Sequence, residues 1–118
     1  MAELTQKAIE LLSQDRKGFF LMVEGSQIDW ASHANNPDNT IRQTLLFDET
    51  VKVALDFALK DEHTLVVVTA DHETGMGINS GSLDGENLII GWTGKGHTGV
   101  LVPIYAFGPK AEQFMGLR

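Results

Sequence analysis

Apolar residues near the start of the chain return every three or four places: Leu4, Ala8, Ile9, Leu11 and Leu12, with Glu3, Gln6, Lys7 and Glu10 between them. That period is helical and predicts an amphipathic helix over Ala2 to Arg16, stopped by Lys17–Gly18. Phe19 to Val23 is then apolar without a break, the pattern of a strand buried on both faces. A second helical period runs through Ile41, Leu45, Leu46, Val51, Leu55 and Leu59 and predicts a helix over Thr40 to Leu59. Pro37 marks the turn before it, and Asp38 or Asn39 is placed to cap it. Leu65 to Thr69 reads as a second buried strand and Val100 to Phe107 as a third, with Pro103 pointing to an edge or bulge. Ala111 to Met115 begins a last helix. Alternating helices and buried strands predict an α/β fold: a three-layer αβα sandwich with a mainly parallel sheet.

Two stretches depart from these periods. Glu24 to Asn36 is polar and small, and within it Ile28 to Ala34 is long enough for a short helix. From Gly75 to Gly99 the chain turns to glycine and small polar residues, so 76–96 reads mostly as a glycine-rich loop, with a short strand around Leu88 to Trp92. Neither an internal repeat nor a low-complexity linker is present, and 1–118 reads as a single partial domain.

Composition narrows the chemistry. With no cysteine, thiolate metal sites, disulfides and thiol catalysis are all excluded. A formal charge of −7 leaves no basic surface for nucleic acid, although bound cations would reverse the local field for a small anion. The longest apolar runs are far too short for membrane insertion.

The ligand-type residues fall where a doubly wound sheet gathers them. Glu24 closes the first buried run, Asp71 and His72 close the second, and His97 lies in the glycine-rich stretch before the third. Asp29 and His33 stand four apart, on one side of a short helix. Ligands of open α/β sheets bind beyond the carboxyl ends of the strands, so these six residues are expected along one edge. Three imidazoles and three carboxylates suit divalent zinc better than acid–base chemistry alone. Asp29, His33 and His97 would fill one zinc site and leave a position open, Asp71 and His72 would supply part of a second, and Glu24 fits magnesium. Each residue alone has a plainer reading: Asp29 and His33 as a surface ion pair, Asp71–His72 as a strand-end cap, His97 as a loop histidine. His63, in the charged turn Lys60 to Thr64, reads as solvated; Trp30 reads as packing for the short helix, and Lys95 as a solvated lysine beside His97.

Four ordered blocks carry a resemblance: Gly18 to Asn35 (GFFLMVEGSQIDWASHAN), Val66 to Gly75 (VVVTADHETG), Gly96–His97–Thr98–Gly99, and Pro103 to Gly116 (PIYAFGPKAEQFMG). Together they resemble the alkaline phosphatase family. The resemblance implies an alkaline-phosphatase-like fold and the C-terminal, metal-binding part of its catalytic domain. It matches Glu24 to the magnesium glutamate, Asp29, His33 and His97 to the ligands of the first zinc, and Asp71 and His72 to ligands of the second. It further implies hydrolysis of phosphate monoesters through a phosphoserine, inorganic phosphate as product, homodimers and export to the periplasm or beyond the cell.

The same pattern has gaps. The nucleophilic serine, a phosphate-binding arginine and further metal ligands belong to a block of the family with no counterpart here, and the contexts of Ser13, Ser26, Ser32, Ser80 and Ser82 do not resemble the nucleophile motif. Met76 stands where the family usually has a further glycine. The chain alone is therefore expected to lack serine-dependent turnover. Alternatives are an inert metal-binding or structural piece, or part of a related phosphodiesterase or mutase; a sulfatase fits least.

Overall fold

The structure, a computed structural model, describes residues 1–81 and 89–116. The chain divides into two compact units: Met1–Glu24, Leu45–Thr69 and Pro103–Arg118 form the first, Gly25–Thr44 and Ala70–Val102 the second.

In the first unit, α1 spans Ala2–Leu12, four residues short of the expected Arg16. The cause is local. Gln14 Nε2 donates to the Glu10 carbonyl at 3.3 Å, and Asp15 Oδ1 accepts from the Lys17 N–H at 2.9 Å, so side chains take over the backbone groups that a further turn would use. Gly18, at φ +89°, then redirects the chain. The expected strand Phe19 to Val23 has no ladder among the described residues. Its inward side packs, with the Phe19 and Phe57 rings 6.1 Å apart, but Phe20 is 88% and Met22 75% exposed. A run of apolar side chains encodes burial; a strand also needs a neighbouring backbone.

Among the described residues the sheet of this unit is a single pair, β1 (Val66–Thr69) and β4 (Ile104–Phe107), antiparallel with Val66 opposite Phe107 and Thr69 opposite Ile104. β4 is half the length expected for Val100 to Phe107, because Pro103 has no N–H for a ladder; its carbonyl instead accepts from Thr69 Oγ1 at 3.1 Å. Gly108, at φ +106°, ends β4 against Thr64, and a 3₁₀ turn at Ala111–Phe114 follows.

α3 spans Pro37–Asp61 and belongs to both units, residues 37–44 to the second and the rest to the first. It begins earlier than expected because Pro37 takes the first helical position, where a missing N–H costs nothing. The cap is Asn36 rather than Asp38 or Asn39: its Oδ1 accepts from the Asn39 N–H at 3.0 Å.

In the second unit, α2 (Gln27–His33) matches the short helix expected from Ile28 to Ala34 within a residue. Its inner side meets α3 through Ser32, whose hydroxyl donates to the Ile28 carbonyl at 2.8 Å and lies 3.4 Å from Thr40 Oγ1. Trp30 does not pack the helix as expected; it is 66% exposed. The described parts of the glycine-rich 76–96 stretch, 76–81 and 89–96, contain two strands where a loop was mostly expected. β2 (Met76–Ser80) and β3 (Ile89–Trp92) pair antiparallel, Met76 with Trp92, Gly77 with Gly91 and Ile78 with Ile90, while Leu88 lies outside the described residues. Gly77 and Gly91 hide the alternation that marks a strand, and the Asn79 side chain lies over Gly91, in the space a Cβ there would take.

Both ladders among the described residues are antiparallel, so the mainly parallel sheet expected from the element order is not seen in them. The order of helices and strands predicts parallel neighbours only where consecutive strands pair. Here β1 pairs instead with β4, 34 residues or more along the chain, and runs antiparallel to it.

Candidate metal centre

Five of the six expected ligand residues lie in the second unit, while Glu24 closes the first and is exposed. α2 sets Asp29 and His33 one turn apart on one side, and His33 Nε2 stands 3.3 Å from Asp29 Oδ2. The loop after β3 brings His97 to the same point: its Nε2 is 3.4 Å from Asp29 Oδ1 and 3.1 Å from His33 Nε2. His72 stacks on His97 with ring centroids 3.4 Å apart and planes 20° apart. One ligand atom each from Asp29, His72 and His97 lies within 4.8 Å of the others. Asp71 Oδ2 is 3.3 Å from His72 Nε2, and Asp71 itself is 87% exposed at its side chain.

The proton positions follow from the partners. His33 Nδ1 lies 2.6 Å from the Lys95 carbonyl. A carbonyl only accepts, so Nδ1 carries a proton, and in the neutral ring Nε2 is a bare lone pair aimed at Asp29 and His97. Thr74 Oγ1 donates to Asp29 Oδ1 at 2.6 Å, which spends its one proton. Its contact with His72 Nδ1, at 3.4 Å, is then made by a proton on that nitrogen, and the neutral His72 ring turns a lone pair toward Asp71. Lone pairs meeting lone pairs and carboxylate oxygens call for a cation, either a proton or a metal ion.

The dimensions test the second choice. Donor atoms about 2.0–2.1 Å from a tetrahedral zinc stand about 3.3 Å from one another. The two imidazole nitrogens, His33 Nε2 and His97 Nε2, stand 3.1 Å apart, and Asp29 meets them through different oxygens, Oδ2 at 3.3 Å from His33 and Oδ1 at 3.4 Å from His97. Nitrogen and carboxylate donors are those zinc accepts, and three protein ligands leave a fourth position open. The donor set fits zinc.

Electrostatics favour the charged carboxylate. Burial pushes the Asp29 carboxyl up, but the Thr74 hydrogen bond, with the charge that His33, His97 and His72 carry when protonated, holds it below the ordinary value. Glu73 is likewise lowered, by the Thr98 hydroxyl first and the Gly75 N–H second.

Sequence reading assigned no role to the groups that support these ligands. Thr74 braces Asp29, and Glu73 Oε2 accepts from Thr98 Oγ1 at 2.7 Å and from the Gly75 N–H at 2.8 Å. Lys95 contributes its carbonyl while its residue stays exposed, and Asn35, with its amide turned to suit both partners, donates to Ser32 O at 3.1 Å and Gly94 O at 3.0 Å. The packed hydroxyls and carboxylate of Glu73–Thr74 and Thr98, immediately beside the histidines, were the available signal; the Lys95 carbonyl had none. His63 is exposed and contacts only its own turn at Asp61, as expected of a solvated residue.

Comparison with known proteins gives these features a family. The alkaline phosphatase family profile matches residues 1–90. Alkaline phosphatase 3 of Bacillus subtilis is 33% identical over 188 aligned residues, taking in 98% of this chain and 40% of the relative. The alkaline phosphatase of Escherichia coli K12 is 40% identical over 134, taking in 99% and 28%. Among solved structures, a variant of the TAB5 alkaline phosphatase with Mg bound superimposes with a TM-score of 0.89 at 40% identity, over 98% of this chain and 36% of that one. The chain belongs to the alkaline phosphatase family and has an alkaline-phosphatase-like fold. It spans 28–40% of the length of these curated relatives. Among the described residues, no helix is long and apolar enough to cross a membrane.

Proposed function

We propose that this chain supplies the zinc-ligating part of a phosphate-monoester hydrolase. Asp29, His33 and His97 hold a first zinc, Asp71 and His72 belong to a second, and Glu24 serves magnesium. The observation that carries the reading is the convergence of His33 Nε2 and His97 Nε2, 3.1 Å apart, on the two oxygens of the Asp29 carboxylate at 3.3 and 3.4 Å, with the His33 Nδ1 proton directed at the Lys95 carbonyl. When bound, zinc supplies Lewis acidity toward a phosphoryl oxygen.

The chain's own residues do the preparatory work. The Lys95 carbonyl holds the Nδ1 proton of His33 and keeps Nε2 free and oriented. Thr74 holds Asp29 ionised and fixed in rotation. His72, stacked on His97, stops that ring from swinging out of the exposed loop. The serine that accepts the phosphoryl group is supplied from outside these 118 residues, within a three-layer αβα domain whose sheet is mainly parallel. The whole protein is an exported homodimer acting on phosphate monoesters, with inorganic phosphate as product and no nucleic-acid partner.

Elemental analysis after reconstitution and exhaustive dialysis tests this. Close to one zinc per chain or more is expected, lost in His33→Ala and in His97→Ala. A folded chain that retains no zinc overturns the reading. The chain alone is also expected to fall well short of about 1 s⁻¹ on a phosphate monoester, the lower end of ordinary enzyme turnover.

A further inference from the structure

Among the described residues, one hydrogen-bonded construction beside the cluster involves none of the six expected ligand residues. Glu73 reaches the His97 loop by two routes. Its carbonyl accepts from the Thr98 N–H at 3.2 Å, the one bridge that joins residues 73 and 98. Its carboxylate, through Oε2 alone, accepts both the Thr98 hydroxyl at 2.7 Å and the Gly75 N–H at 2.8 Å. Two hydrogen bonds therefore fasten the residue after His72 to the residue after His97, and a third, from the Gly75 N–H, holds the same carboxylate oxygen in its own turn.

That fastening has a mechanical consequence. His97 sits in an exposed loop between Gly96 and Gly99, and a Cβ added at either glycine would meet nothing within 4 Å; before His97 the loop is held at Gly94 by Asn35 and at Lys95 by His33. Gly75, at φ +76°, is different. A Cβ there would lie 3.0 Å from Thr93 Oγ1 and 3.3 Å from the Gly94 carbonyl, so the Glu73–Gly75 turn is closely fitted to the loop it grips. On the far side of His97 the closely fitted turn meets the loop at Thr98.

We infer that Glu73 and Thr98 form a positioning clamp for His97, setting the distance of its Nε2 from Asp29 and His33 and the stacking of its ring on His72. The clamp rests on the reading of Asp29, His33 and His97 as zinc ligands. Glu73 is not itself a ligand. The Gly75 N–H and the Thr98 hydroxyl both engage Oε2, so the carboxylate is anchored in its own turn and reaches the loop through one charge-assisted bond to Thr98. Outer groups that hold a ligand in this way typically change metal affinity 10- to 100-fold when removed.

The test uses the whole chain, with zinc as the probe and chelator competition as the readout, beside the visible absorption spectrum of the Co²⁺-loaded form. Thr98→Val removes the hydroxyl at constant shape; Glu73→Ala removes the carboxylate and leaves the backbone bond. Each should weaken zinc about 10-fold or more and alter the Co²⁺ bands. The double variant should weaken it little beyond either single one, since the two groups act as one pair. Thr98→Ser should return affinity to within about threefold, a rescue that mere loss of loop stability would not give. If the unmodified chain binds zinc and Thr98→Val binds it equally well with unchanged Co²⁺ bands, the clamp is overturned while the zinc reading stands. If the unmodified chain binds no zinc, the zinc reading falls, and amide exchange at Gly96 to Gly99 in the metal-free chain decides the clamp. Faster exchange in Thr98→Val but not in Thr98→Ser supports it, and unchanged exchange overturns it.

Discussion

Replacing Thr74 with valine removes one hydroxyl at nearly constant shape and isolates what that group does for Asp29. The 2.6 Å bond from Thr74 Oγ1 to Asp29 Oδ1 ends on an ionised acceptor, and such bonds contribute about 1.5–3 kcal/mol. Asp29 retains 30% of its side-chain exposure, so water replaces part of the loss and a cost of about 1–2 kcal/mol is expected. The pH dependence gives the discriminating readout. The Asp29 pKa is lowered in the folded chain, so its contribution is complete above the unfolded carboxylate value and is lost as pH falls through the folded one. The penalty of Thr74→Val, measured by urea denaturation, should therefore be full at pH 7 and shrink in strong acid. In parallel, the Asp29 carboxyl carbon, followed by NMR, should titrate at higher pH in the variant. In the zinc-loaded chain the same loss corresponds to about 5- to 30-fold weaker binding. An equal penalty at both pH values, with Asp29 titrating unchanged, would mean that valine merely packs badly, and would refute the electrostatic account.

Gly108→Ala should be the most damaging single-atom-scale change in the first unit: φ is +106° and the new Cβ would strike the Thr64 carbonyl, for a loss of about 2–4 kcal/mol and a Tm drop on the order of 10 °C. Asn36→Ala removes the cap of α3 and should cost about 1 kcal/mol in a chemical melt, with Asn36→Asp nearly neutral. Glu73 is held below the ordinary carboxylate value by Thr98 and Gly75, so acid should release the 94–99 loop: its amide exchange, corrected for intrinsic pH dependence, should accelerate as pH falls through the folded pKa, and Thr98→Val should bring that onset to higher pH.

The helices were legible because their apolar residues keep a period of 3.6, and α2 and α3 were found within a few residues. Their ends were less so. Asn36 caps α3 only because Pro37 occupies the first helical position, and α1 stops where Gln14 and Asp15 hydrogen-bond backbone groups. Strand pairing was not legible, and neither was two-sided burial: Phe19 to Val23 reads like Val66 to Thr69, yet among the described residues only the latter has a ladder, both runs alternate half-buried and exposed positions where burial on both faces was expected, and β2 was concealed by Gly77. The cluster itself was largely legible. Five of the six residues chosen for their chemistry occupy one unit, with Asp29, His33 and His97 mutually within 3.4 Å. What sequence could not supply was the support around it. The Lys95 carbonyl carries no residue-type signal, and a hydroxyl at Thr74 or Thr98 reveals its partner only once the chain has folded.

The central claim is that Asp29, His33 and His97 close around one zinc ion. Crystals of the zinc-reconstituted chain, with anomalous differences measured on both sides of the zinc edge, test it directly. The account predicts a zinc peak about 2.0–2.1 Å from His33 Nε2, His97 Nε2 and an oxygen of Asp29, with Lys95 still accepting from His33 Nδ1. An ordered cluster without a zinc peak, or a peak coordinated elsewhere, would contradict it.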